Sequence, residues 1–97
     1  ISWLKKEVNH IRKWNKILFK KFKEMKIATN ESKTNFLLLN FDRVNISSKK
    51  VFQKLAKAGI LVRAMNTYGI KNSLRITIGK SKENKKLISV LRKILNV

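Results

Sequence analysis

"GILVRAMNTYGIKNSLRITIG", residues 59–79, decides the fold of this chain. It carries two apolar, β-branched runs, Ile60–Met65 and Ser73–Ile78, on either side of a loop containing Gly69, the pattern of two strands joined by a turn. In the second run, alternation puts Leu74, Ile76 and Ile78 on one face and Ser73, Arg75 and Thr77 on the other. In the first, Arg63 shares its face with Leu61 and Met65. A hairpin centred on Gly69 sets residues 63 and 75 opposite each other, because each stands six positions from the centre.

Two like charges facing each other across strands are unfavourable unless an anion lies between or beside them. Arginine suits that work because its planar fork grips a carboxylate or phosphate through two hydrogen bonds. The competing reading is a solvated sheet face on which each arginine pairs with a carboxylate of the chain. Only five acidic residues are present, so internal partners are scarce, and the spacing favours anion recognition.

Working outward, Gly59 stands where a left-handed residue ends a helix. Upstream of it, Ser47 or Ser48 can cap a helix whose apolar face is Val51, Phe52 and Leu55, filled in by Ala56 and Ala58. "NFLLLNF", residues 35–41, reads as a short buried strand, with a loop over 42–46 and a polar connector over 26–33 that includes an extended piece at Ile27 and Ala28. From Leu4 to Met25, the residues Leu4, Val8, Ile11, Leu18, Phe22 and Met25 form one stripe of a long amphipathic helix, with Trp3 and Trp14 adding bulk. After the second strand of the hairpin, Ser81 caps a last helix carrying Leu87, Ile88, Leu91, Ile94 and Leu95. Glu83 suits its first turn, but Asn84 stands where a capping box expects Glu. The order is helix, strand, helix, strand, strand, helix: an α+β fold with a small sheet of about three strands and helices packed on it.

Composition excludes several function classes. There is no cysteine and one histidine, His10, so disulfides, thiolate metal sites and metal chemistry generally are not expected. No apolar run approaches a membrane span and no secretory signal is evident, which makes a cytoplasmic protein the default. Lys and Arg number 24 among 97 residues, for a formal charge of +19. That charge suggests nucleic acid or an anionic surface. However, the lysines spread over the whole chain and accompany 10 asparagines and 11 isoleucines, a mixture typical of AT-rich coding sequence. The chain starts at Ile1 rather than methionine and is read as a piece of a longer protein.

"NFLLLNF", "AGILVR", "YGIKNSLRITIG" and "ENKKLISVL" occur in the order and at the intervals of the C-terminal small domain of class I/II pyridoxal-phosphate-dependent aminotransferases, enzymes of fold type I. Within that family the resemblance is nearest to the histidinol-phosphate aminotransferases of histidine biosynthesis. It covers residues 35–95 well and the first helix loosely. It implies residues 1–30 as the helix and connector leading from a missing large domain, and 31–97 as the small domain. It also implies that Arg75 of "LRIT" holds the carboxylate of glutamate (or 2-oxoglutarate) in one half-reaction and the phosphate of histidinol phosphate in the other. Arg63 of "VR" would be the second phosphate contact. Tyr68 and Asn66 receive no role.

The resemblance further implies pyridoxal phosphate bound by the large domain, a homodimer for the whole enzyme, and catalytic inactivity of this segment by itself. No lysine here is read in the family's Ser-x-x-Lys setting, the nearest look-alike being Ser81-Lys82. Two other readings compete. A free-standing basic nucleic-acid module lacks mid-strand aromatics in "ILVRAM" and "LRITIG", and Phe36 and Phe41 face opposite sides; only weak, nonspecific binding is expected of it. A membrane-surface protein would need the stripe of the first helix to be exposed.

Overall fold

The computed structural model describes residues 2–30, 32 and 34–97, with side chains described from residue 5 onward. The first helix, α1, spans Ser2–Glu24. It is followed by β1 (Ala28–Thr29) and β2 (Phe36–Asn40), then α2 (Ser48–Lys57), β3 (Arg63–Ala64), a single 3-10 turn (Asn66–Tyr68), β4 (Ser73–Thr77) and α3 (Ser81–Leu95). The strands form one antiparallel sheet in the order β1-β2-β4-β3. The expected α+β layer is present, with four strands rather than about three. The extra member is the two-residue edge β1, shifted one position from the expected extended piece at 27–28, and just beyond it the side-chain oxygen of Asn30 accepts the Leu38 N–H at 3.1 Å.

Alternation in β2 and β4 sorts the sheet into two faces. Leu37, Leu39, Leu74 and Ile76 are buried and belong to one core with Trp14, Leu18 and Phe22 of α1, Val51 and Leu55 of α2, and Leu87 and Leu91 of α3. All three helices therefore cover one side of the sheet, and the other side, bearing Phe36, Leu38, Arg75 and Thr77, is left free of helices. The stripe on α1 is buried from Trp14 to Met25, while Val8 remains 45% exposed. The C-terminal half of the stripe that membrane docking needs is thus occupied by the domain's own core. Trp3 and Leu4 fall outside the described side chains. No helix among the described residues is long and apolar enough to cross a membrane.

Helix ends explain where the strands stop. Ser47 caps α2, its hydroxyl accepting the Lys50 N–H. Gly59, at φ 81°, ends the helix in a motif where Gly59 N–H donates to Ala56 O and Ile60 N–H to Leu55 O. Ile60 is thereby spent on the helix. Of the expected Ile60–Met65 strand, Arg63 and Ala64 are register partners of β4; Met65 still donates its N–H to Ser73 O at 3.2 Å, but it is the residue from which the 3-10 turn starts, and it is buried outside the main core cluster.

Ser81 is likewise not the cap of α3. Lys80 takes that extended position, and the Ser81 hydroxyl accepts the Trp14 Nε1–H at 3.1 Å. With the cap one residue earlier, Glu83 becomes the third helical residue and accepts the Lys80 N–H at 2.9 Å. Lysine has no acceptor to return the bond, so only the glutamate half of a capping box forms. Asn84 also has a use: its oxygen accepts Gly79 N–H at 2.9 Å and its amide donates to Gly79 O at 2.8 Å, while the side chain is 2% exposed.

Candidate anion site on the open sheet face

Arg63 and Arg75 are register partners across β3 and β4, as the centring on Gly69 requires. Arg75 continues the row to Leu38 of β2, so the cations stand side by side on the helix-free face. Paired residues of an antiparallel sheet are separated by only about 4.5–5.5 Å at Cα. Among the described carboxylates none neutralises them. Glu24 pairs with Arg92 at 3.8 Å, Asp42 accepts from Asn72, Glu83 caps α3 and Glu7 is an exposed residue of α1.

Each arginine is held by an aromatic residue instead. The Arg75 guanidinium carbon lies over the Phe36 ring, 4.5 Å from its centroid. Arg63 donates from Nη1 to the Tyr68 hydroxyl at 3.2 Å. Tyr68 reaches that position because the 3-10 turn closes onto Gly69, whose φ of 77° is left-handed. No hydrogen bond ties up the Arg75 side chain among the described residues, so its fork is available. The arrangement is suited to a doubly charged anion, or to two singly charged ones, seated on the open face.

Two asparagines that periodicity does not single out fix the ends of β4. At its start, Asn72 (φ 52°) accepts Ser48 N–H and donates to Asp42 Oδ1, both at 2.8 Å, and its carbonyl accepts Phe41 N–H. At its far end, Asn84 holds Gly79, and His10 of α1 bonds the same Gly79 carbonyl through Nε2 at 2.8 Å. Left-handed asparagine and local side-chain bonds to backbone are the available signals for such joints.

Contrary to the expectation for lysines, Ser-x-x-Lys spacing does occur, at Ser2–Lys5 and Ser47–Lys50. Both lysines are exposed helix residues, and the second instance is the cap of α2. No cluster of three or more metal-ligating acids, histidines or cysteines is found among the described residues. Phe41 is buried in the core, leaving Phe36 as the lone phenylalanine of β2 on the open face. No row of stacking aromatics for nucleic acid is built there.

The sequence pattern of the family described as aminotransferase class I and II matches residues 1–91. A histidinol-phosphate aminotransferase of Pelagibacter ubique is 43% identical over 97 residues, covering 98% of this chain and 27% of that protein. The crystal structure of the histidinol-phosphate aminotransferase from Clostridium acetobutylicum superposes with a TM-score of 0.77 at 27% identity, covering 89% of this chain and 26% of the other. An aspartate aminotransferase from Thermus thermophilus with maleate gives a TM-score of 0.81 at 14% identity, over 97% of this chain and 25% of that one; it attests the fold. The chain spans about a quarter of the length of the relatives it matches.

Proposed function

As the chain belongs to the class I and II aminotransferase family, we propose that it is the substrate-clamping small domain of a pyridoxal-phosphate-dependent enzyme. That enzyme exchanges an amino group between glutamate and the phosphorylated imidazole ketone of the histidinol-phosphate reaction. In this reading residues 31–97 are the small domain proper and residues 1–30 lead into it from a large domain. The working enzyme is a cytoplasmic homodimer, and the alternative of a free-standing nucleic-acid module is set aside. The observation that carries the proposal is the pair of cross-strand arginines without a carboxylate partner among the described residues.

The open face does not fit the cofactor itself. Along β2, β3 and β4 it presents arginines, hydroxyls, an amide and apolar groups, with neither a lysine for an imine nor an acid for a pyridine nitrogen. The cofactor that carries the amino group is therefore assigned to the large domain, and no step of the reaction is drawn on these residues. Their part is binding. Arg75 grips a carboxylate of glutamate in one half-reaction and the phosphate in the other, and Arg63 adds a second cation that a dianionic phosphate uses more fully than a carboxylate.

Arg63→Ala in the full-length enzyme tests the assignment. It is expected to raise KM for histidinol phosphate by about tenfold and KM for glutamate by about threefold or less, taking a charge-assisted hydrogen bond as worth about 1.5–3 kcal/mol before solvent screening. Equal effects on both substrates, or none, would remove Arg63 from the site.

A further inference from the structure

We propose that Phe36 is a positioning residue for Arg75: its ring fixes the direction of the guanidinium without occupying any of its donors. The inference rests on the reading that Arg75 grips a substrate anion.

Phe36 is paired with Thr77, and Leu38 with Arg75, which makes Phe36 the diagonal neighbour of Arg75, within reach of an aromatic side chain. On the other flank Arg75 is opposed by Arg63. Repulsion from β3 therefore drives the guanidinium toward β2, where the ring receives it at 4.5 Å, inside the ~6 Å range of a cation–π contact.

Packing does not demand a phenylalanine here. The core positions of β2 are taken by Leu37 and Leu39, and Phe36 is 40% exposed. A carboxylate at the same place would also hold the arginine, but it would fill the fork. The π face of a hydrocarbon ring contains no hydrogen-bond acceptor, so an arginine lying over it keeps its N–H donors for a ligand. The other cation of the pair is held differently, by a single hydroxyl from Tyr68, so the two guanidiniums have separate supports.

The test is a double-mutant cycle in the full-length enzyme, with Phe36→Leu, Phe36→Trp, Arg75→Ala and the Phe36→Leu/Arg75→Ala double variant, read by KM and kcat for glutamate and for histidinol phosphate. Phe36→Leu is expected to raise KM for both by about fivefold, as loss of a partly exposed cation–π contact implies, with kcat and melting temperature little changed. Phe36→Trp, which restores a ring face, should recover most of the loss. In the Arg75→Ala background, Phe36→Leu should have no further effect, because the group it aims is gone. A full Arg75→Ala defect with no Phe36→Leu defect would overturn the positioning role and leave the anion site standing. Equal Phe36→Leu losses in both backgrounds would mean that the ring acts on the substrate directly and would also overturn it. Arg75→Ala without effect on either substrate would refute the anion reading and the inference with it.

Discussion

Replacing Arg75 by alanine separates binding from folding, because the two effects have different sizes. Arg75 spends no side-chain hydrogen bond on a described residue, so a bound carboxylate or phosphate would receive both arms of the fork. Two charge-assisted hydrogen bonds are worth roughly 3–6 kcal/mol. The residue is half-buried and Arg63 remains, so screening and the surviving cation place the expected loss near the lower end, about 3 kcal/mol. At about 1.4 kcal/mol per tenfold, kcat/KM should fall by about 150-fold for both glutamate and histidinol phosphate. Arg75→Lys, which keeps the charge and loses the fork, should fall by about tenfold.

Folding should scarcely notice. Relief of the Arg63–Arg75 repulsion gains about 0.2–1 kcal/mol, and loss of the Phe36 contact costs a similar amount. Steady-state kinetics of the full-length enzyme, with each substrate varied separately and thermal melting in parallel, would check both. A loss below about threefold for both substrates, or one that tracks a fall in melting temperature, would refute the reasoning.

Other perturbations test how the site is supported. Leu18→Ala, at a fully buried position of α1, should cost the intact protein about 2–5 kcal/mol in urea unfolding, whereas Val8→Ala, at a position 45% exposed, should stay within about 0.5 kcal/mol. Asn84→Ala removes both side-chain bonds to Gly79. It should lower stability by about 2 kcal/mol, measured as a shift of the urea midpoint at constant slope.

The pairing of the two arginines is legible where periodicity governs it. Strict alternation in "SLRITI" and the distance of each arginine from Gly69 were enough to put Arg63 opposite Arg75. Strand length is less legible, because "ILVRAM" looks like six strand residues although its first position completes a helix end and its last begins the 3-10 turn. Propensity puts the cap of α3 on Ser81, yet the serine hydroxyl is drawn off by Trp14, 67 positions away in sequence. Asn84 looked like a failed capping residue for the same reason: its true partner is the backbone of Gly79, a bond set by tertiary geometry. The contact between Phe36 and Arg75 joins residues on non-sequential strands. It follows only once the strand order is known, since β4 lies between β2 and β3.

The bonds from α1 to the turn after β4 have a mechanical meaning. His10 holds the Gly79 carbonyl and Trp14 the Ser81 hydroxyl, both near the middle of a 23-residue helix about 34 Å long. The helix is thereby braced against the end of the arginine strand at two points, with the packed side chains of Leu18 and Phe22 below them. The place of Arg75 relative to α1 is therefore set by hydrogen bonds as well as by packing.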